Sequence, residues 1–289
     1  MTIKQTIGAE AVATKGFIQA YKWLLLRRLS QLSILGLFLL GPVAGVWLIK
    51  GNLASSLILD TVPLTEPMLV VQMFAAGFIP LSTALWGALF VVVFYLLVGG
   101  RVYCSWVCPV NIITDTASWL RERFGVLASG GFPRNTRYWM IALVMLLAAF
   151  TGTMAYEVVN PVPMLHRGII FGIGLSWSVI IAIFLFDLFI ARKGWCGHIC
   201  PMGALYGIIG KVSPLRVRAD KRELCDDCLE CFVVCPEPHV IKPALKGAPK
   251  GIGPVITAGE CTNCGRCIDI CAEEVFNFGM RFNNYSKEP

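Results

Sequence analysis

The cysteine runs CDDCLECFVVCP (residues 225–236) and CTNCGRCIDICA (residues 261–272) decide the fold of the C-terminal part of this chain. Both runs read CxxCxxCxxxC, and the second repeats the first at a constant offset of 36 residues. Three thiolates at this spacing wrap one corner of an iron-sulfur cube, while the fourth cysteine, a further turn along the chain, reaches the other cube. The two runs together therefore predict two 4Fe-4S clusters.

The exchange of fourth cysteines between the runs sets the expected ligands of each cluster. The ligands expected for the first cluster are Cys225, Cys228, Cys231 and Cys271. The ligands expected for the second cluster are Cys261, Cys264, Cys267 and Cys235. Such a repeat is typical of the pseudo-twofold bacterial ferredoxin fold. We therefore predict a small α+β two-cluster ferredoxin domain at the C-terminus, over residues 221–289.

Other uses of these eight cysteines fit the spacing less well. Zinc favours two CxxC pairs with a longer spacer and does not require a third cysteine three positions on. Disulfides are disfavoured in a reducing cytoplasm, and the absence of a CxxCH motif gives no site for a covalent c-type haem. One departure from the repeat is Ala272, which stands where Pro236 follows the first run. That change removes a chain-turning residue and leaves all the cysteines in place.

The composition of the rest of the chain indicates a membrane protein. The mean hydropathy of the whole chain is +0.68 and only 15% of its 289 residues are charged, which is too apolar for an ordinary soluble protein. About 20 apolar residues cross the hydrocarbon layer as a helix. We therefore predict an α-helical membrane domain over residues 29–191, between a cytoplasmic arm (1–28) and a connector (192–220). The four predicted transmembrane helices cover about residues 29–49, 80–98, 138–156 and 168–190.

The distribution of basic residues predicts the orientation of these helices. Five basic residues lie in the N-terminal arm and five in the loop between the second and third spans, whereas the other two loops carry only Lys50 and Arg167. Because short loops rich in Lys and Arg stay in the cytoplasm, both termini and all twelve cysteines are expected on that side of a bacterial inner membrane. The net charge of +7 is thereby explained, and no motif predicts nucleic-acid binding.

A second repeat involves the remaining four cysteines. The segments YCSWVCP (residues 103–109) and WCGHICP (residues 195–201) each follow a predicted span directly, so the membrane domain is expected to consist of two pseudo-repeated helix pairs. Pseudo-symmetry would bring the two CxxxCP motifs together as a third redox site, since four thiols suit iron-sulfur chemistry. The alternative is a pair of helix-end turns with inert thiols. The cysteines concerned are Cys104, Cys108, Cys196 and Cys200.

Nearly the whole chain resembles the NapH family of membrane ferredoxin-type proteins. The resemblance rests on these segments in this order: WLLLRRLSQ (23–31), SSLILDTVPLTEP (55–67), CSWVCPVN (104–111), ITDTASWLR (113–121), GWCGHICPMGALYG (194–207), CPEPHV (235–240) and CTNCGRCIDIC (261–271). It implies a quinol dehydrogenase component that oxidises quinol and passes electrons towards periplasmic nitrate reductase. The implied partners are a NapG-like iron-sulfur protein, a NapC-like cytochrome and a NapF-like cytoplasmic ferredoxin, together with membrane lipid and the quinol pool.

A quinol region is expected either near the cytoplasmic CxxxCP motifs or in the non-cytoplasmic loops. In those loops, Asp60, Glu66 and His166 are the groups able to take protons from quinol easily. Two other functions compete with quinol oxidation. One is an assembly or maturation factor that donates electrons to immature partner metalloproteins, and the other is a structural anchor that recruits soluble iron-sulfur proteins to the membrane.

Overall fold

The computed structural model describes residues 7–126, 130, 132–172 and 174–282. The chain divides into two compact units, each assembled from separate stretches of sequence. The first unit comprises Met1–Leu29, Tyr95–Trp106 and Gly207–Pro289. The second comprises Ser30–Phe94 and Val107–Tyr206. The predictions about the two chain ends concern residues 1–6 and 283–289, which lie outside the described residues.

Helices account for most of the secondary structure. The α-helices are α1 (Ala9–Lys15), α2 (Phe17–Ala20), α3 (Lys22–Ala44), α4 (Pro67–Ala75), α5 (Ser82–Val98), α6 (Val110–Arg123), α7 (Thr136–Thr151), α8 (Ala155–Val159), α9 (Pro161–Phe171), α10 (Gly174–Leu185), α11 (Pro201–Ile209), α12 (Glu230–Val234), α13 (Ile241–Lys246) and α14 (Arg266–Ile270). The π-helical turns are Tyr103–Val107, Phe186–Ile190 and Trp195–Ile199. The strands are β1 (Ile49–Gly51), β2 (Ser55–Ile58), β3 (Val62–Thr65), β4 (Leu215–Arg218) and β5 (Asn277–Met280).

Apolar helices occur at all four places where the sequence predicts a membrane span. Among the described residues, α3 is the one helix that is both long enough and apolar enough to cross a membrane. The others, Ser82–Val98, Thr136–Thr151 and Ser176–Ile190, are apolar but have 10–17 residues. The sequence predicts four spans of full length. The structure has one helix of that length and three shorter ones.

Glycine and proline explain why the predicted third and fourth spans are shorter in the structure. Helix α7 ends before Gly152, which adopts a positive φ of 63°. The Gly152 amide closes the last turn by donating to the Ala148 carbonyl. Helix α9 begins at Pro161, with the Asn160 side chain accepting from the Val162 amide at 3.1 Å. It ends at Gly172, also at positive φ, so the predicted span over 168–190 is divided between α9 and α10.

A three-stranded antiparallel sheet lies in the first predicted loop, where no strand is expected from the sequence. Strand β2 pairs with both β1 and β3, and the register places Ile58 opposite Val62. The turn between β2 and β3 uses positive φ at Leu59 and Asp60. The strands are only three or four residues long, and Pro63 lies within β3, which is why the sequence pattern does not identify them.

The ferredoxin part of the first unit has the predicted α+β fold. Strands β4 and β5 pair antiparallel, and helices α12 and α14 pack against each other over a small core. Helix α12 begins at Glu230 and α14 at Arg266, which repeats the 36-residue offset of the cysteine runs. The core includes Val217, Ile241, Ile256, Ile270 and Val275.

The N-terminal arm belongs to the same compact unit as the ferredoxin part. The Gly8 amide donates to the Glu230 carboxylate at 3.2 Å. At the start of α3, the Trp23 and Leu24 amides donate to the two oxygens of the buried Asp269 carboxylate, both at 3.0 Å. A carboxylate at this end of a helix also complements the positive end of the helix dipole. The arm is thereby bonded to α12 and α14.

Candidate iron-sulfur sites

Two cavities in the first unit each have four cysteines in their walls. The first cavity brings together Cys225, Cys228, Cys231 and Cys271. The second brings together Cys235, Cys261, Cys264 and Cys267. The two have nearly equal empty volumes, about 360 and 350 Å3 including space open to solvent. These are the two sets into which the sequence spacing divides the eight cysteines, with one member of each set supplied by the other run.

Backbone turns with positive φ place the first three cysteines of each run around their cavity. Asp227 and Leu229 adopt positive φ in the first run, and Asn263 and Gly265 do so at the corresponding places in the second. Helices α12 and α14 begin directly after these turns and carry the third cysteine inward. A side chain at residue 265 would collide with the Trp23 ring, so glycine is required there both by its backbone angle and by space.

The donor chemistry fits iron-sulfur clusters. All twelve cysteines are free thiols, so none is used in a disulfide. Among the described residues, no three Cys, His, Asp or Glu side chains lie close enough together to hold one metal ion. A cubane binds each cysteine at a different iron and so spreads its four ligands further apart than a single tetrahedral ion does.

Burial disfavours the thiolate forms that cluster binding requires. Desolvation, reinforced by the neighbouring thiols, raises the pKa of Cys231 to about 12. Desolvation likewise raises the pKa of Cys261 to about 11. A bound cationic centre is what stabilises such thiolates, because metal binding and thiol deprotonation are coupled.

The charges around the two cavities differ. Asp226 and Asp227 line the first cavity, whereas Arg266 and Glu237 line the second. Cys228 of the first set is exposed, while Cys264 and Cys267 of the second set are buried. The lining of the second cavity is therefore less acidic than that of the first.

The segment Tyr95–Trp106 is bonded to the second cysteine run within the first unit. The Ser105 hydroxyl donates to the Thr262 carbonyl at 2.8 Å, and the Trp106 indole donates to the Asn263 carbonyl at 3.2 Å. The Asn263 amide in turn donates to the Val98 carbonyl at 3.1 Å. Ser105 and Trp106 of the first CxxxCP motif are thus bonded to the second cysteine run, which sequence spacing does not indicate.

Both CxxxCP motifs adopt the same local structure. Each contains a π-helical turn, and each is followed by an α-helix that begins at or next to the motif proline. The second turn is closed by the Cys200 amide, which donates to the Trp195 carbonyl at 2.9 Å. π-helical turns are rare in proteins, and those that occur often lie at functional sites. Cys104 belongs to the first unit, and Cys108, Cys196 and Cys200 belong to the second, so their convergence remains a prediction.

The three residues predicted for the quinol region have different environments. Asp60 is exposed and pairs with Lys50 at 2.7 Å. Glu66 is buried and caps α4 by accepting from the Leu69 amide at 2.9 Å. His166 is predicted in a loop, but it lies buried in α9, where its ring packs edge-on against Phe38. The structure thus makes Asp60 an exposed ion-pair partner and the other two buried groups.

The pseudo-repeated α+β core and its two four-cysteine cavities define an iron-sulfur protein of the ferredoxin type. Family models agree with this class. A model described as a 4Fe-4S dicluster domain matches residues 216–272. A model described as a 4Fe-4S binding domain matches residues 73–126 and 173–222, so each match contains one CxxxCP motif.

Curated relatives match the chain over almost its whole length. The methylamine utilization ferredoxin-type protein MauN of Methylorubrum extorquens is 52% identical over 278 residues, which cover 96% of each chain. MauN of Paracoccus denitrificans is 51% identical over 94% of this chain and 95% of its own. The ferredoxin-type protein NapH of Escherichia coli is 45% identical over 98% of each chain. No solved structure matches significantly. The chain belongs to the family of NapH and MauN ferredoxin-type proteins.

Proposed function

We propose that this chain is an electron carrier of the bacterial inner membrane that works with two 4Fe-4S clusters. The observation that carries the proposal is the grouping of eight cysteines around two cavities, four to each. Cys225, Cys228, Cys231 and Cys271 would hold one cluster, and Cys261, Cys264, Cys267 and Cys235 the other. A bound 4Fe-4S cluster supplies one-electron exchange. The protein supplies the thiolates, the cavity walls and the charges that set the potentials.

The proposed location is a multi-pass arrangement in the membrane, with four spans and both termini in the cytoplasm. Support comes from the apolar helices at all four predicted positions. Each carries large apolar side chains that are exposed, such as Leu32, Phe90, Leu146 and Phe189. Extensive exposed apolar surface indicates contact with lipid or a partner. Tilt and local thinning of the bilayer accommodate helices shorter or longer than the average thickness.

The proposed electron donor is quinol, and the proposed destination is a periplasmic nitrate reductase reached through a NapG-like iron-sulfur protein. A NapC-like cytochrome and a NapF-like ferredoxin are further proposed partners. This part of the proposal rests on the similarity to NapH over 98% of both chains. Two one-electron centres in a single chain also suit the two electrons that a quinol releases.

The relatives named for methylamine utilization favour a second possible destination for the electrons. MauN of Methylorubrum extorquens shares 52% of its residues with this chain, against 45% for NapH of Escherichia coli. In that case the same clusters would serve electron transfer in methylamine metabolism. Growth assays separate the two: the gene is placed in a strain lacking NapH during nitrate respiration and in a strain lacking MauN on methylamine. Rescue of one strain alone assigns the pathway.

The chemical test of the proposal is low-temperature EPR of the full chain in lipid nanodiscs after addition of menadiol. Reduction of one or both clusters by this quinol is the expected result. A chain whose clusters accept electrons from dithionite but never from a quinol would instead be a maturation factor or a structural anchor.

Bound iron measured on the same sample tests whether the CxxxCP cysteines hold a third centre. Cys104→Ser and Cys200→Ser should then lower the iron content while both ferredoxin signals remain.

A further inference from the structure

A cluster of mostly buried polar residues lies in the second unit. It joins the start of α4 to the segment around α8. We call these residues the Glu66 cluster; its members are Glu66, Gln72, Tyr156, Glu157 and Asn160. The Gln72 side-chain oxygen accepts from the Tyr156 amide at 3.1 Å, and the Asn160 amide donates to Glu157 at 3.2 Å. The cluster is therefore held in place by its own hydrogen bonds.

One oxygen atom of this cluster, Oε1 of Glu66, has no hydrogen-bond partner among the described residues. The Tyr156 hydroxyl group lies next to the thiol of Cys200. Glu66 and Tyr156 are both 4% exposed, and the Glu66 carboxylate lies close enough to the Tyr156 phenol to act on it electrostatically. A buried polar atom without a partner costs free energy, and ligand-binding sites are places where such atoms are retained. An acidic group and a phenol are thus available at one place for a polar ligand.

We propose that Glu66 and Tyr156 bind one hydroxyl group of a quinol and that Glu66 accepts its proton. This inference rests on the proposed quinol oxidation and names the residues that perform it. Tyr156 would donate a hydrogen bond to the quinol oxygen, and the Glu66 carboxylate would accept one from the quinol O–H.

Both O–H bonds of the quinol break when it is oxidised. The Glu66 carboxylate takes the proton of the hydroxyl group that it binds, forming an O–H bond there, and the hydroxyl group at the opposite end of the ring gives its proton to water. The two electrons would pass to the two 4Fe-4S clusters of the proposed function, one to each, leaving quinone as the product.

The environment of Glu66 suits a proton acceptor. Burial raises the pKa of Glu66 to about 8, with hydrogen bonds from Met68 and Leu69 opposing the shift and the charge of Glu157 adding to it. A general base works best when its pKa lies near the working pH. Among the described residues, Arg167 also acts on this cluster, through its charge beside Glu157.

The other two predicted proton acceptors are less suitable. Asp60 is exposed and already paired with Lys50. His166 is buried against Phe38, and burial together with the charge of Arg167 lowers the pKa of His166. Tyr156, by contrast, also interacts with the thiol of Cys200, a member of the second CxxxCP motif.

The test compares the full chain with Glu66→Gln and Tyr156→Phe, using Asp60→Asn as the matched control from the same region. Reduction of the bound clusters by menadiol is timed from about pH 6 to about pH 9. The parent rate should rise with pH through the Glu66 pKa. Glu66→Gln should lose the pH dependence and about 100-fold in rate. Tyr156→Phe should weaken binding of a hydroxyquinoline N-oxide, a quinol analogue, about tenfold. Asp60→Asn should change neither.

The outcomes separate this inference from the proposed function. Clusters that menadiol never reduces in the parent chain would overturn both. A parent chain reduced by menadiol, together with unchanged rates and analogue binding in Glu66→Gln and Tyr156→Phe, would overturn the inference alone. Reduction of every variant by dithionite shows that folding and clusters are intact. Tyr156→Phe removes a single oxygen, so it decides the question even where Glu66→Gln does not fold.

Discussion

The guanidinium group of Arg101 donates to the carboxylate of Glu237 at 2.6 Å, and both side chains are almost completely buried. The same nitrogen of Arg101 donates to the Glu260 carbonyl at 3.0 Å. Glu237 follows Cys235 by two residues, and Glu260 directly precedes Cys261. One arginine from a distant segment therefore holds together the two stretches of chain that supply cysteines to the second cavity.

Removing one partner of this ion pair should destabilise the first unit. Arg101→Met leaves the Glu237 carboxylate buried without its counter-charge, which costs about 3–5 kcal/mol. We expect a lower melting temperature and loss of iron from the second site. The double variant Arg101→Met/Glu237→Leu should recover much of the stability, because neither charge is then buried. Lys50→Met, which breaks an exposed ion pair, is the control and should cost at most about 1 kcal/mol. Equal losses for Arg101→Met and Lys50→Met would contradict the role given to Arg101.

The exchange of fourth cysteines can be tested one site at a time. Cys235→Ser should disturb the EPR signal of the cluster held by Cys261, Cys264 and Cys267 and leave the other signal unchanged, because residue 235 lines only the second cavity. Cys271→Ser is the matched variant and should have the reciprocal effect. Loss of the first signal in Cys235→Ser, with the second retained, would show that each run keeps its own fourth cysteine.

The unequal charges around the cavities predict unequal reduction potentials. Arg266 lines the second cavity, and positive charge favours the reduced, more negative cluster. Arg266→Gln should lower the midpoint potential of that cluster by roughly 40–70 mV, the size expected for one charge at about 10 Å with an effective dielectric constant of about 20–40. Arg266→Lys keeps the charge and serves as the control. Asp226→Asn should shift the potential of the first cluster in the opposite direction. Identical potentials in all three variants and the parent would exclude this explanation.

The proposed orientation predicts where fused reporters are active. Alkaline phosphatase requires an oxidising compartment, so a fusion after Pro289 should be inactive and one in the loop after Lys50 active. Green fluorescent protein fused after Pro289 should fluoresce. Phosphatase activity after Pro289 would reverse the topology of every span.

The sequence predicts local features of this protein better than its long-range contacts. The two sets of four that the cysteine spacing predicts are the sets that line the two cavities, because the ferredoxin repeat is encoded within a short stretch. Their role as cluster ligands stays a prediction. Apolar runs likewise locate the four helices. Their ends differ because Gly152 and Gly172 stop helices inside stretches that remain apolar. A hydropathy profile does not detect the glycine residues that end a helix.

The features that the sequence does not predict depend on residues far apart in the chain. Arg101 and Glu237 are separated by 136 positions, and neither belongs to a recognisable motif. Tyr156 is likewise an unremarkable aromatic residue near a predicted helix end. Its proximity to Glu66 becomes visible only when the loops before α4 and α8 are placed. The strands β1 to β3 are missed for a different reason, since they are too short to show an alternating pattern.

The discontinuous make-up of the first unit has a consequence for how this gene can evolve and how its product is made. The unit needs residues from the beginning, the middle and the end of the chain. Trp23 packs on Phe278 with ring centroids 4.7 Å apart, and Ser105 bonds to Thr262. The coding region after Gly207 therefore does not encode every residue of this unit. The ribosome must finish nearly the entire polypeptide before the first unit can close, and insertion of the proposed clusters would then be a late event in biosynthesis.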